Sequence, residues 1–533
     1  MGETGSALAG LGIDLGSTAV RVGVYDLETD KLVDVVTRPV PYTNQGGNRV
    51  TQGTEDIMSA VYGCIEDLNL SVECVLSCGV AATCSLAVFT KGESGLEPLD
   101  IYSVKQEPCQ NVMFWMDSSA TLECDVINET AGPLKEFMGG SFIPEMGIPK
   151  LASIIMRFQS EEHELEVLDL HSYIAYQLAL RYGWDNSRVI NKPNENKIGH
   201  DGEVKGWDTS FYRDVLKLPE NIKVGPIHAL HTESPVRVAS CIDCYSNWFS
   251  MCSSTPDNSL FMAAGTSTCY LYTNNKNKGC IPGVWGPFTN ILDGSETKEW
   301  SVYEAGQSTT GKLIEHLFET HPAARVYSTN RSKLFSAIES TIEKLERESG
   351  ESIHFKSKHM FTYGELQGNR TPYCDSSMSG MFIGETTDTS FYDLVLKYIT
   401  ILEFLAFQVK HIKECFKAEI KDIRIAGSQA KNTRLLSLVS LVNDQIKIRI
   451  PAQRSDYMGV EGAYLLGKAA QKKTDIINLI DKRDKLQSHT VGLEPMKLDA
   501  ANLKLKKLLV TKYKIYLDMP KTQMRYRAMV DSV

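Results

Sequence analysis

An α/β fold built from two similar halves is predicted by three observations. Apolar, β-branched runs at 11–15 and 20–25 flank the small polar turn Gly16-Ser17-Thr18. The same pattern returns at 260–264 and 269–272 around Gly265-Thr266-Ser267, and strands and helices alternate from 423 to 470.

The first half opens with this hairpin and a third strand at 32–37. Thr54 is placed as a helix N-cap, because Ile57, Val61, Cys64 and Leu68 follow at helical spacing, and a strand at 74–80 comes next. Meander, helix and strand suit a mixed sheet covered by helices. The polar segment Ser253–Asn258 separates the halves, and the second begins with its own hairpin. A charged surface helix or insertion is expected within 328–352. Leu394, Tyr398, Leu402, Leu405, Val409, Ile412 and Phe416 predict one long packed helix over 391–416. Strand 423–426, helix 432–442, strand 446–450 and helix 459–470 follow, and a Lys-rich helical extension begins near 475.

Composition narrows the function classes. A chain of 533 residues exceeds what one core organises, and a hydrophobic fraction of 42% with 23% charged residues describes an ordinary globular protein. The net charge of −10 argues against a nucleic-acid partner. No apolar run reaches the roughly 18 residues of a spanning helix, and no basic-then-apolar leader pattern opens the chain, so the cytoplasm is expected and no membrane partner. Thirteen cysteines at scattered spacing read as reduced thiols. Cys241-x-x-Cys244 lacks the second pair that a zinc site needs.

Several segments carry potential chemistry. Asp14 stands at a strand end before Gly16-Ser17-Thr18, a turn whose exposed backbone N–H groups suit phosphate oxygens, and Gly265-Thr266-Ser267 is a second such turn. Two phosphate-sized hairpins from two halves fit a clamped nucleotide. Gly306–Lys312 follows the P-loop pattern up to its last position, where Leu313 replaces the hydroxyl that would reach magnesium. Gly427-Ser428, after a strand and before a helix, lets a ligand approach backbone closely. Asp243, amid small and apolar neighbours, reads as either a satisfied structural acid or a functional base.

Taken in order, GIDLGSTAVR, NVMFWMD, GGSFIPEMGIPK, CID, AGTST, YEAGQSTTG, GNRTP and AGSQAKN resemble the FGGY carbohydrate kinases. The elements Tyr303–Ser308 and Gly368–Pro372 are similar to the ribulokinase branch of that family. The resemblance implies an α/β fold of two duplicated ribonuclease-H-like, actin-type ATPase lobes around a cleft. The sugar-side lobe would span 11–252, the ATP-side lobe 259–470, and an extension over 471–533 would pack on the second lobe.

By the same resemblance, ATP and Mg2+ are the cofactors and the substrate is a small sugar, with a homodimer left open. Asp243 becomes the catalytic base. Asp14, Gly16, Ser17 and Thr18 face the γ-phosphate, with Asp14 and Asp243 holding Mg2+ through water. Gly265, Thr266 and Ser267 take the other phosphates, while Gly311, Gly427, Ser428 and Asn432 line the adenosine pocket. Thr83, Cys84, Trp115, Asp117, Lys192 and Glu304 are expected on the sugar side.

The expected activity is transfer of the ATP γ-phosphate to a ketopentose of ribulose type or a related sugar. This chain departs from the family pattern at Ala82, at Ser118-Ser119, at Cys244–Asn247 and at Ser428. Because most of these changes lie on the sugar side, the alternative is a catalytically weakened nucleotide-binding homologue with a regulatory role.

Overall fold

The computed structural model describes residues 8–92, 95–102, 108–160, 164–186, 209–225, 232–275, 279–289, 291–292, 300–452, 455–486 and 489–533. The chain forms two compact units. The first comprises 1–257, 271–304 and 452–489, and the second 258–270, 305–451 and 490–533. Segments 271–304 and 452–489 thus count with the first unit, whereas the sequence reading put them in or after the second lobe.

The first unit is organised by a five-stranded sheet. Strands β1 (Ala9–Leu15), β2 (Ala19–Asp26) and β3 (Leu32–Pro39) form an antiparallel meander, followed by helix α1 (Thr54–Asp67) and strand β4 (Val75–Ala82). Helices α2 (Gly147–Phe158) and α3 (Leu170–Tyr182), strand β5 (Arg237–Ile242) and helix α4 (Asp243–Met251) come next. The strand order is β5-β4-β1-β2-β3, with β1, β4 and β5 parallel. Every residue of β1 is buried, as expected of a central strand covered on both faces.

One covering element is the helix Met458–Gln471, and glycines set its distance. A Cβ at Gly12 would lie 2.1 Å from Val460 O, and one at Gly79 only 1.6 Å from Ala463 O, so the helix backbone rests on the sheet itself. Helix α4 packs on that helix in turn. A Cβ at Gly462 would lie 1.7 Å from Ser246 O, and Ser246 Oγ donates to Gly459 O at 2.6 Å. A second sheet of seven strands contains Leu86–Gly92 and Val112–Met113, so Thr83-Cys84-Ser85 is the crossing from one sheet to the other.

The start of α1 differs from its expected cap. The N-cap position is Gly53, and both the N–H and the hydroxyl of Thr54 donate to Asn111 Oδ1 at 3.0 Å. A side chain 57 residues along the chain therefore satisfies the helix end.

A further seven-stranded sheet repeats the plan. Strands β6 (Ser259–Ala264) and β7 (Thr268–Asn274), the strand Ser301–Gln307 and helix α5 (Gly311–Thr320) are followed by α6 (Phe391–Cys415), β8 (Asp422–Ala426), α7 (Thr433–Val442) and β9 (Lys447–Pro451). The order β7-β6-β8-β9, parallel from β6 to β9, matches β2-β1-β4-β5 of the first unit. Helix α6 is apolar around most of its surface, which suits a helix at the centre of a unit. The charged stretch forms the helix Arg331–Ser349, and the extension ends in helix α8 (Ala500–Asp531) of the second unit. Among the described residues, no helix is long and apolar enough to cross a membrane. None of the thirteen cysteines forms a disulfide.

Candidate active site

In the first unit, three candidate residues leave the same edge of the same sheet. β1, β4 and β5 are parallel and in register, with Leu15 opposite Ala82 and Ala82 opposite Ile242. Asp14, Thr83 and Asp243 therefore stand at the carboxyl ends of three adjacent strands, where parallel sheets place ligand-binding groups. Asp243 is half-buried and opens α4, the helix end that favours negative charge.

Asp14 is buried, and burial pushes its carboxyl above its ordinary value while Arg21, 3.6 Å away, pulls it back. A Cβ at Gly459 would sit 2.5 Å from the Asp14 carboxyl carbon, so glycine is what leaves this acid its place. The hairpin beside it is closed by Gly16 N–H donating to Ala19 O at 3.0 Å, with Ser17 half-buried and Thr18 exposed.

The expected sugar-side residues divide by role. Thr83 Oγ1 lies 3.0 Å from Ser85 Oγ, and Ser85 Oγ accepts from Trp115 N at 3.0 Å. Trp115 Nε1 donates to Ser17 Oγ at 3.1 Å, joining this element to the first hairpin. Cys84, between Thr83 and Ser85, is half-buried. Glu304 is buried and accepts from Tyr245 of α4 at 3.2 Å, two residues after Asp243.

Asp117 requires a correction. It is fully buried; its Oδ2 accepts from Val50 N and Tyr102 Oη, and its Oδ1 from Ser119 N and Oγ. Four donors occupy both oxygens, so its geometry is that of a residue holding the Trp115 segment rather than of a sugar ligand. Lys192 lies outside the described residues.

Lys150 and Tyr245 were not singled out from the sequence. Fully buried Lys150 donates through Nζ to Phe114 O at 2.7 Å and Trp115 O at 2.9 Å. A lysine inside an apolar helix face was the available signal, since such a charge is buried only with partners.

In the second unit the turn Gly265-Thr266-Ser267 mirrors the first hairpin, closed by Gly265 N–H donating to Ser267 O at 2.9 Å. A Cβ at Gly265 would meet nothing within 4 Å, so open space adjoins the turn, as a phosphate cradle requires. The turn's carbonyls are already engaged. Thr266 O accepts from the N–H groups of Thr310 and Lys312, and Gly265 O from that of Gly311. These bonds use the first donors of α5, and Lys312 is exposed, which removes the P-loop reading on geometry as well as on Leu313.

Gly311 and Gly427 are both sites of close approach. Their Cβ atoms would lie 2.8 Å from Gly265 O and 2.5 Å from Ala264 O, and Gly427 has a φ of 88° that favours glycine. Ser428, which follows, is exposed, and Asn432 caps α7 by accepting from Leu435 N at 3.1 Å.

Comparisons with known proteins identify the family. Residues 260–470 match the sequence model of the FGGY family of carbohydrate kinases, C-terminal domain. Protein MPA43 of Saccharomyces cerevisiae is 44% identical over 543 residues, which cover 99% of each chain. The chain belongs to the FGGY family of carbohydrate kinases. It is thereby a phosphotransferase with an alcohol group as acceptor, and ATP use follows from the family.

A more distant FGGY relative is a D-ribulokinase of S. cerevisiae, 26% identical, with 87% of this chain and 72% of that protein covered. Among solved structures, a ligand-bound xylulose kinase from Lactobacillus acidophilus shares the fold. Its TM-score is 0.68 at 15% identity, covering 96% of this chain and 98% of that one. The ADP-bound glycerol kinase of Plasmodium falciparum gives 0.67 at 14% identity, over 96% and 98% of the two chains. The FGGY fold expected from the sequence, two actin-type ATPase domains, is the fold found.

Proposed function

We propose that this FGGY kinase transfers the γ-phosphate of ATP to a hydroxyl of a ketopentose of ribulose type, with Asp243 as the catalytic base. The alignment of Asp14, Thr83 and Asp243 at the ends of three neighbouring parallel strands carries the reading.

A sugar hydroxyl is a poor nucleophile until a carboxylate accepts its proton as the oxygen attacks phosphorus, and Asp243 takes that role. Glu304, steadied by Tyr245, accepts hydrogen bonds from the sugar, with Thr83, Cys84, Trp115 and Lys192 as further contacts. The Asp14–Thr18 hairpin serves the transferred phosphoryl group, Gly265–Ser267 the remaining phosphates, and Gly311, Gly427, Ser428 and Asn432 the adenosine. A buried carboxylate at the end of a central strand suits a hydrated divalent cation. Asp14 and, through water, Asp243 would hold Mg2+, which when bound neutralises phosphate charge. Most of the remaining rate enhancement comes from position and from donors fixed before reaction.

The ribulose assignment is supported by the D-ribulokinase relative and by the Tyr303–Ser308 and Gly368–Pro372 elements. The test is a panel of pentuloses, heptuloses, pentoses and pentitols in a coupled ADP assay, repeated with Asp243→Asn. Turnover on one ketopentose should fall roughly 10²–10⁴-fold in the variant with the KM for ATP unchanged. Unchanged sugar-dependent ADP release in Asp243→Asn would refute the mechanism, and a preferred substrate of another class would refute the ribulose assignment.

A further inference from the structure

The loop Gly368–Pro372 makes no direct sense as a phosphate or nucleotide element, yet its residues are among the most thoroughly bonded in the second unit. Fully buried Thr371 accepts at Oγ1 from Gly306 N at 3.2 Å. Gly306 lies in the strand Ser301–Gln307, two residues after Glu304 and five before Gly311. The carbonyl of Thr371 accepts from Gln408 Nε2 at 3.0 Å and from Asn369 Nδ2 at 3.2 Å, and both amides also donate to Glu365 Oε1. Gln408 Oε1 in turn accepts from the hydroxyl of Tyr516, on helix α8.

Helix α8 holds the same loop at two further points. Arg527 Nη1 donates to Asp375 Oδ1 at 3.0 Å, and Asp375 exchanges both backbone hydrogen bonds with Asn369. Gln523 spans the backbone of Ser379, accepting from its N at 2.7 Å and donating to its O at 2.8 Å. An unbroken chain of hydrogen bonds thus runs from α8 through Gln408 and Thr371 to the backbone of the strand that carries Glu304.

We propose that Thr371 is a positioning residue, and that α8 is a brace which fixes the Glu304 strand through it. This rests on the kinase reading for its kinetic consequence but not for its structural one. A side-chain hydroxyl accepts from the Gly306 amide, so at that point the loop adds its hold to that of the strands on either side. The loop in turn is fixed by α8. Because a displacement of about 1 Å in a substrate-orienting group costs on the order of a hundredfold in rate, a partial loosening of this brace is visible in kinetics.

The test compares Thr371→Val, which keeps the shape and deletes the hydroxyl, with Thr371→Ser, which keeps the hydroxyl. Tyr516→Phe interrupts the chain at its far end and serves if Thr371→Val does not fold. Two readouts are taken on the full chain: hydrogen exchange at the Gly306 amide, and steady-state kinetics with the sugar that the panel identifies. Thr371→Val should exchange at Gly306 at least ~10-fold faster. Its KM for sugar should rise ~10-fold with the KM for ATP within twofold, Thr371→Ser should restore both, and Tyr516→Phe should shift both in the same direction by a smaller factor.

Unchanged exchange in Thr371→Val and Tyr516→Phe overturns the brace. Faster exchange with unchanged kinetics, or equal losses in the KM for sugar and for ATP, overturns the positioning role. Failure of the kinase reading would instead show as absence of sugar-dependent turnover in the unaltered protein, and the exchange comparison would then decide the brace alone.

Discussion

The substitution Gly462→Ala tests how strongly the proposed base depends on backbone packing far from it in sequence. Gly462 lies in the helix Met458–Gln471, and its added Cβ would fall 1.7 Å from Ser246 O and 2.9 Å from Ser246 Oγ. Real Cβ atoms do not come closer than 3.0 Å, so α4 and this helix must separate by about 1.3 Å, the difference between the two distances. The obstacle is backbone in the middle of a helix, which cannot rotate away.

Overpacking of this kind costs about 1–3 kcal/mol, and the displaced helix is the one that Asp243 opens. A shift of that size in a base lowers turnover about 10²-fold. The assay pairs kcat with the urea midpoint of unfolding, and the expected outcome is a large fall in kcat with a modest fall in midpoint. If Gly462→Ala kept kcat within threefold while its midpoint fell, packing on α4 would not govern the base, and the argument from backbone contact would be wrong.

Three other outcomes follow from described contacts. Lys150→Met leaves the carbonyls of Phe114 and Trp115 without their shared donor, so stability should fall by about 1–3 kcal/mol and the KM for sugar should rise while that for ATP holds, read from urea midpoints and initial rates. Asn432→Ala removes the cap of α7 and should cost ~1 kcal/mol in the same unfolding measurement, whereas Asn432→Asp should retain it. Burial pushes His411 down to about 4, so the folded chain binds fewer protons than the unfolded one between that value and the ordinary 6.5. Its contribution is therefore present above pH 6.5 and is lost as pH falls toward 4. Urea midpoints should drop between pH 7 and pH 5, and less steeply in His411→Gln.

The strands and helices of both halves were legible because their periodicities are local. The repeated hairpin gave the duplication, and the long apolar spacing of 391–416 gave the central helix Phe391–Cys415 within a residue of its end. Asp14 was legible as a residue at a strand end, Asp243 as an acid amid small and apolar neighbours and Thr83 only through the family resemblance, but their adjacency depends on β-strand order, which no local pattern encodes. The membership of 452–489 in the first unit was missed for the same reason, although Gly459, Gly462 and Gly467 in one helix marked a face meant for backbone contact. Asp117 misled because a carboxylate beside Trp115 reads alike whether its acceptors face a ligand or four protein donors. Asn111 could not be foreseen as the partner of Thr54, since a helix cap borrowed from a distant loop leaves no signature at the helix itself.

The seating of Met458–Gln471 on β1 and β4 also has a meaning for synthesis. The glycine-lined face of β1 receives its partner only some 450 residues after the strand itself is made, the whole of β6 through β9 among them. At about 5–20 residues per second this is a wait of roughly 20–90 s, during which the nascent first sheet presents bare backbone and apolar strand to its surroundings. Newborn chains should thus depend on chaperone shelter far more than refolding chains that are already complete, and a stop codon placed just before Met458 should yield an aggregate rather than a smaller stable unit.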